Sequence, residues 1–307
     1  MPSIYTHFRF GQLAYEEMPT AVKMQVASAR PQYTLGLQGP DFFYYSAILR
    51  RKGAQELGDY LHEQSLRDSL EMVFAQNNAQ VGKKWGALDN ALLSYLHGFL
   101  AHFTLDSICH PLIHNRCPES SIHVALETEL DAVLLREEGL RPFTYSFAEL
   151  CPADSDVLDT AEKFYSPWAD RLRRGGIRRA VKDCRMIREW IYTPTLPHFR
   201  LLSGTMNVLG LLSSFGGILQ SPENKPVLAL PEDSDKIIEE LLDLMELALI
   251  QYRENTSALR ARLEEGKELP EFFARNFSMQ GKPWEGESEE EEEDEDEYEY
   301  CDERQAD

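Results

Sequence analysis

The chain is poor in basic residues relative to acidic ones, and it lacks the signatures of several protein classes. Its 307 residues include 31 Lys and Arg against 52 Asp and Glu, for a formal net charge of −21. No region has the basic character of a nucleic-acid-binding surface. The five cysteines form no CxxC pair and are odd in number, which indicates reduced thiols in a cytosol. The first residues contain neither a basic stretch nor an apolar run, so we expect no signal peptide.

Strand patterns are nearly absent as well, and helical periodicity dominates. Apolar residues recur every three to four positions in 87–110 and 233–266, and a further helical stretch covers about 156–192. We therefore predict an all-α fold, with a single multi-helix domain at 1–284 and a separate tail at 285–307. Loops are predicted at 31–41, 114–122, 142–155 and 220–234.

Two segments differ in composition from the rest of the chain. Residues 285–307 carry 15 acidic residues and one basic residue. Self-repulsion predicts a disordered tail whose removal leaves the melting temperature unchanged, unless it docks on the basic run at 171–179. Residues 201–222 contain no charge. A buried helix is the first interpretation of that segment, with a membrane-contacting surface or a transmembrane span as alternatives.

Four of the eight histidines lie in one apolar segment, HGFLAHFTLDSICHPLIHN. His102, Asp106 and His110 follow at intervals of four residues and therefore share one face of a helix. Burying this row without partners would be costly, which favours metal ligation. Because His102 and His110 are about 12 Å apart along the helix axis, Asp106 would join His102 at one ion and leave His110 for another. The two remaining histidines are interpreted as hydrogen-bonded core residues: His97 and His114.

The next predicted helix supplies ligands for that second ion. His123 and Glu127, in HVALETELD, are again four residues apart and share a face. Two neighbouring helices that present H-x3-D-x3-H and H-x3-E predict a site for two or more zinc ions. Asp131 continues the second row and is assigned a supporting or salt-bridging role.

Together these residues resemble the zinc-dependent phospholipase C family, whose all-α fold is shared with zinc nucleases that cut single strands. The similarity covers roughly residues 4–135 and follows the order of the family motifs, and the helices at 156–275 would extend the same domain. The matching parts are YTHFRFG with His7, LGLQGPDFFYY with Asp41, LGDYLHEQS with His62, HFTLDSICHP and HVALETELD.

The resemblance also implies which residues hold metal. The side chains that would surround one zinc are Asp41, His62, His102 and Asp106. Those that would hold a second zinc are His110, His123 and Glu127. His7 would contribute to a third ion bridged by Asp106, a site that the family completes with the N-terminal tryptophan of the processed enzyme. This chain begins Met1-Pro2 and has no such tryptophan, so we expect two zinc ions, and a third would need other ligands.

By resemblance, the expected activity is zinc-dependent hydrolysis of a phosphodiester bond in a phospholipid. Zinc lowers the pKa of water and stabilises the phosphoryl oxygens, and Asp41 would orient the attacking water or accept its proton. Gly36, Gly39 and Pro40 would shape the loop that presents Asp41, with helix capping as the alternative role for this residue.

Substrate selection and location follow less directly from the sequence. No acid precedes His7, so the pattern of the choline-selective members is incomplete, although Phe42 and Phe43 would offer aromatic contact. We expect a cytoplasmic protein that contacts a membrane peripherally.

Other functions fit parts of the same pattern. A zinc nuclease or nucleotide phosphodiesterase would use the same ligands, and a non-catalytic protein could use zinc only to join helices. Other helical metalloproteins fit less well, because the chain has no adjacent His-Asp pair and no E-x-x-H motif.

Overall fold

The computed structural model describes residues 4–49, 51–83 and 88–277, and within these ranges the chain is helical. The α-helices are α1 (Ile4–Glu17), α2 (Thr20–Ser28), α3 (Arg30–Gly36), α4 (Phe42–Ile48), α5 (Lys52–Glu63), α6 (Leu66–Gln76), α7 (Asn90–Arg116), α8 (Ser120–Glu137), α9 (Ser155–Phe164), α10 (Gly176–Ile191), α11 (Leu196–Val208), α12 (Leu212–Phe215) and α13 (Ser234–Glu265). The described residues contain no β-strand, only an isolated bridge between Gln220 and Pro226. The all-α prediction is confirmed.

The centre of the fold is α7, which is hydrophobic on nearly all sides. Twenty of its 27 residues are buried, including every residue from Ser94 to Pro111. A helix of this kind must be covered on all faces, and α1, α2, α3, α9 and α13 pack around it. One continuous hydrophobic core includes residues from Ile4 to Phe277.

Two glycines bring α3 into backbone contact with α7. A Cβ atom on Gly36 would lie 2.3 Å from the carbonyl oxygen of Tyr95, and one on Gly98 would lie 2.3 Å from that of Tyr33. Only residues without a side chain allow this approach. The close crossing places the turn that follows α3, residues 37–41, against the middle of α7.

A proline inside α7 connects this helix to the C-terminal part of the described chain. Pro111 has no N–H, so the carbonyl of Ser107, four residues earlier, loses its helical partner. The guanidinium of Arg275 donates a hydrogen bond to this carbonyl at 2.6 Å. Two residues later, the N–H of Phe277 donates to the carbonyl of His62, so residues 275–277 lie between α7 and α5.

Two of the predicted loops are shorter in the structure than the sequence indicated. The predicted loop at 31–41 is helical up to Gly36, because Pro31 suits a first helical turn and Tyr33 and Leu35 are buried against the core. The predicted loop at 114–122 is reduced to residues 117–119, between α7 and α8. The predicted loops at 142–155 and 220–234 are confirmed, apart from short 3-10 turns in the first.

The uncharged segment 201–222 is not a buried helix, and that prediction was wrong. In α11 only Met206 is buried, while Leu201, Val208 and Leu209 are 69%, 85% and 65% exposed. Among the described residues, no helix has the length and apolar character needed to cross a bilayer. The remaining interpretation is an apolar surface. The predicted domain boundary at 284 and the tail at 285–307 lie outside the described residues.

Candidate metal centre

The eight residues predicted to bind metal converge in the structure from five separate elements. His7 lies on α1, Asp41 precedes α4 and His62 lies on α5. The remaining five are on the helix pair α7 and α8: His102, Asp106, His110, His123 and Glu127. Nitrogen and oxygen atoms of His7, Asp41, His102 and Asp106 lie within 4.8 Å of one another, as do those of His110, His123 and Glu127. The separation of His102 and His110 into two groups follows the spacing predicted from the sequence.

Asp106 belongs to the first group and also approaches the second. Its carboxylate oxygens are 3.2 Å from Nε2 of His7, 3.1 Å from Nε2 of His102 and 3.6 Å from Nε2 of His110. The side chain is only 4% exposed. One carboxylate with three imidazoles at this range has the arrangement of a ligand shared between metal ions.

Asp41 extends the first group towards α5. Its carboxylate is 2.9 Å from Nε2 of His62 and 3.3 Å from Nε2 of His102. Asp41 occupies the residue before α4, but its side chain makes no capping hydrogen bond. The side chain therefore serves the histidine cluster, and the capping alternative does not apply.

Gly39 shapes the turn that presents Asp41. Its φ angle is +49°, and a Cβ atom there would lie 2.2 Å from the imidazole of His102. The hydroxyl of Tyr165 donates to the Gly39 carbonyl at 2.8 Å and holds the turn in this position. The backbone of the turn thus covers one face of His102.

Three imidazoles are oriented by hydrogen bonds from their Nδ1 atoms to backbone carbonyls. His102 donates to Leu37, and His110 donates to Phe277, both at 3.1 Å. His62 donates to Gly58 at 2.8 Å. Since a carbonyl can only accept, each Nδ1 carries the proton and the lone pair is on Nε2, which faces the carboxylates. A hydrogen bond of this kind from the outer nitrogen is the usual support for a metal-binding histidine.

The second group joins α7 to α8. Oε1 of Glu127 lies 3.5 Å from Nε2 of His110 and 3.1 Å from Nε2 of His123. The half-buried ring of His114 packs beside both histidines, with centroid distances of 5.6 Å and 5.1 Å. His114 was predicted to be an ordinary core residue, although its spacing of four from His110 was a signal of this contact.

Burial and opposite charge compete at these side chains. Burial alone would raise the pKa of Asp106, but the neighbouring His102, His110 and His7 hold it well below its usual value. Burial opposes protonation of His110, yet Asp106 and Glu127 raise its pKa to about 9. Without metal, these carboxylates would be paired with protonated imidazoles.

Several buried polar atoms in the cluster have no hydrogen-bond partner among the described residues. They are Nε2 of His102, Oδ2 of Asp41, Oδ2 of Asp106 and Oε2 of Glu127. Buried polar atoms are nearly always satisfied, so several unpaired atoms that face one another indicate a missing partner. Imidazole nitrogen and carboxylate oxygen are the donors that zinc accepts. The residues present therefore fit a metal ion.

The comparison with protein families agrees with this chemistry. Residues 6–176, more than half of the chain, match the family described as zinc dependent phospholipase C. The chain belongs to this family. Searches of curated proteins and of solved structures gave no significant match. The family region extends beyond the 4–135 predicted from the motifs, because it also includes α9 and the start of α10.

Supporting contacts explain how this family member holds its cluster. Asp131 on α8 accepts hydrogen bonds from the backbone N–H and the hydroxyl of Thr6, at 2.7 Å and 2.8 Å, and so fixes α1 beside His7. This agrees with its predicted supporting role. His97 is buried as predicted, but its Nδ1 finds no hydrogen-bond partner among the described residues.

The prediction that Phe42 and Phe43 offer aromatic contact to a substrate was wrong. Phe42 and Phe43 are fully buried and pack edge-on against Tyr165 in the core. They face away from solvent because α4 turns inward directly after Asp41. Other aromatic residues reach the cluster. The hydroxyl of Tyr44 lies 3.1 Å from Nδ1 of His62, and the ring of Phe277 packs against His62 and His102 with centroid distances of 5.2 Å and 5.6 Å.

Proposed function

We propose that this chain is a zinc-dependent hydrolase of phosphodiester bonds that acts on a phospholipid in the manner of phospholipase C. The observation that carries the proposal is Asp106, which approaches three imidazoles from two groups of ligands in a buried site. Membership of the zinc-dependent phospholipase C family supports the reaction class.

The proposed ligand assignment starts from the two groups, adds His62 to the first and treats His7 separately. Asp41, His62, His102 and Asp106 would hold one zinc ion, with His62 approaching through its contact to Asp41. His110, His123 and Glu127 would hold a second. The position of His7 next to Asp106 is suited to a further ion or to the first one. When bound, zinc would lower the pKa of water and stabilise negative charge on the phosphoryl oxygens.

The protein itself would orient the reactants. Asp41 is fixed from both sides by His62 and His102, and the Gly39 turn carries its backbone. A carboxylate fixed in this way can accept a hydrogen bond from an attacking water and take its proton as the bond to phosphorus forms. The backbone of Phe277 fixes the ring of His110, so Nε2 keeps its direction during the reaction.

Access to lipid would come through the apolar surface of α11. Leu201 and Val208 are seven residues apart on one exposed face, and the segment 201–222 has no charge. This segment leads to Gly217, where a Cβ would lie 3.1 Å from both the Ser121 carbonyl oxygen and the Ala125 nitrogen on α8, on either side of His123. Exposed apolar residues connected to the site are suited to a bilayer surface.

A reducing compartment is part of this proposal. The four cysteines in the described part of the chain are free and buried. Reduced thiols would suit the cytoplasmic location expected from the sequence, which we keep as part of the proposal.

Hydrolysis of defined substrates tests the proposal. The purified protein would be assayed on phospholipid vesicles and on single-stranded oligonucleotides, with zinc per chain counted in the same preparation. We expect release of the phosphorylated headgroup, loss of release after chelation, and recovery with zinc. Cleavage of the oligonucleotide instead would make the protein a nuclease. Full zinc loading with no turnover of either substrate would favour a structural role for the metal.

A further inference from the structure

A cavity at the C-terminal end of α4 has basic side chains at six of its eleven lining residues. It has a volume of about 460 Å³ and is formed by the end of α4, the start of α5 and the segment before α10. Its basic lining residues are Arg51, Lys52, Arg171, Arg173, Arg174 and Arg179. The folded domain is acidic overall, so the charge at this cavity is opposite in sign to the net charge of the domain.

Little in the described part of the chain neutralises these cations. Asp183 accepts hydrogen bonds from Arg51 and from the hydroxyl of Ser46, each at 2.7 Å, and is thereby engaged. The guanidinium of Arg171 lies over the ring of Tyr60 at 3.6 Å. Within 4–49, 51–83 and 88–277, no ion pair involves the other four basic residues of the cavity: Lys52, Arg173, Arg174 and Arg179.

Two helix N-termini add to the positive potential. α5 begins at Lys52 and α10 begins at Gly176, and both residues line the cavity. Neither helix has a side chain capping its first turn. Helix N-termini carry a partial positive charge and free N–H groups, which attract carboxylates.

We propose that this cavity binds the acidic tail of the same chain, residues 285–307. The tail carries 15 carboxylates and a single basic residue, which matches the charge of the cavity. A docked tail would also cover the arginines, so that external polyanions and anionic lipid could not bind there. The basic run 171–179 thus forms one wall of the cavity.

The tail is long enough to reach. Its attachment begins near Phe277, which is hydrogen-bonded to His62 at the C-terminal end of α5. Gly53, at the other end of α5, lies nine residues earlier, which is about 14 Å along the helix axis. Eight Cα-to-Cα steps separate Phe277 from Glu285, and an extended chain of this length covers about 26–29 Å. The extended chain is therefore longer than the distance along α5, so the first carboxylates of the tail can reach the cavity.

Because the tail is covalently attached to the domain, weak ion pairs with the cavity are sufficient for it to bind. Exposed ion pairs contribute little one at a time, but attachment in one chain raises the local concentration of carboxylates to the millimolar range or above. Binding of this kind depends strongly on ionic strength, because added salt screens exposed charges. Binding of the tail should therefore be tested first by varying the salt concentration.

The natural cysteine of the tail permits a test in the full-length chain. The other four cysteines are buried, so a spin label added under native conditions is directed to Cys301. A second label at Glu56→Cys reports from exposed α5, one turn from the cavity. Distances would be measured by pulsed electron resonance at low and high salt. We expect a narrow, short distance distribution at low salt that is lost at high salt.

Charge reversal then identifies the binding surface. The variant Arg173→Glu/Arg174→Glu/Arg179→Glu should lose the short-distance population. The matched control Arg141→Glu/Arg200→Glu/Arg260→Glu changes net charge equally at exposed positions outside the cavity and should keep it. A distribution that is the same in the native and the cavity variant overturns the proposal. Loss of heparin binding in the cavity variant, with unchanged label distances, would assign the cavity to an external polyanion instead.

Discussion

The backbone of Gly39 lies against the imidazole of His102 so closely that no side chain fits between them. A Cβ atom on Gly39 would be 2.4 Å from Nε2, the nitrogen that faces Asp41 and Asp106. The position of the turn therefore fixes the position of the His102 imidazole. This contact requires glycine at position 39, because any side chain there would displace the ring.

Gly39→Ala should remove metal binding as well as activity. The new methyl group must displace His102, and we expect zinc content and phosphodiester turnover to fall together. The matched control is Gly139→Ala, which has φ +73° but nothing within 4 Å of the added Cβ. That variant should lose only the strain of a left-handed residue, about 1–2 kcal/mol of unfolding free energy. Normal zinc content in Gly39→Ala would show that His102 is not a ligand.

Asp41→Asn separates charge from shape in the proposed base. The substitution keeps the size of the side chain but removes its negative charge and its ability to accept a proton. Turnover should fall by roughly two or more orders of magnitude, with little change in the circular dichroism spectrum. Asp170→Asn, at an exposed position with no ion pair in the described residues, controls for the substitution itself. Near-native turnover of Asp41→Asn with zinc fully bound would place the base elsewhere.

The two histidines beside Glu127 should differ in their effect on metal content. His123 directs Nε2 to Glu127 at 3.1 Å, whereas His114 only contacts the neighbouring rings. His123→Ala should therefore lose about one zinc ion per chain, and His114→Ala should keep it. Elemental analysis of both purified variants makes the comparison. Equal loss in the two variants would extend the ligand set to His114.

The parts of the site that the sequence could predict are those where ligands repeat along one helix. His102, Asp106 and His110 reveal themselves by spacing alone, as do His123 and Glu127, because a helix converts an interval of four into a shared face. The backbone partner of His110 could not be found this way. Phe277 is 167 residues away and contributes only a carbonyl, which any residue possesses.

The exposure of α11 was missed for a related reason. Apolar residues at helical spacing predict that one face of a helix is apolar. The same spacing occurs whether that face packs in the core of the protein or remains on its surface. In α11, Phe199 and Met206 lie on the face turned towards the protein, and Leu201 and Val208 remain outside. The absence of charge in 201–222 therefore did not distinguish the exposed face of α11 from the buried residues 216–220 that follow.

That apolar face should matter for vesicles but not for soluble substrate. Leu201→Ser/Val208→Ser removes apolar area at 69% and 85% exposed positions. We expect vesicle hydrolysis to fall by about tenfold or more. Burial of each apolar side chain in the bilayer would contribute on the order of 1–2 kcal/mol to membrane binding. Hydrolysis of a short-chain, monomeric phospholipid should be unchanged. The control Leu247→Ser/Ile250→Ser alters two exposed apolar residues on α13 and should leave both activities intact. Equal loss on both substrates would indicate damage to the site.

The buried carboxyl of Asp131 should make stability depend on pH in an unusual direction. Burial raises its pKa from 3.8 to about 6, although the hydrogen bonds from Thr6 oppose this. Between about pH 4 and pH 6 the folded protein keeps a proton that the unfolded chain has released. The contribution of Asp131 to the free energy of unfolding is therefore largest below pH 4 and declines as the pH rises to about 6.

Asp131→Asn removes this titration while it keeps an oxygen that can accept from Thr6. The difference in unfolding free energy, variant minus wild type, should thus increase from pH 4 to pH 6, by up to about 3 kcal/mol for a shift of this size. Urea unfolding of both proteins after zinc removal provides the measurement, and Asp170→Asn controls for loss of one carboxylate at the surface. A difference that stays constant across this range would mean that Asp131 is ionised in the folded protein throughout, held by contacts stronger than the two hydrogen bonds from Thr6.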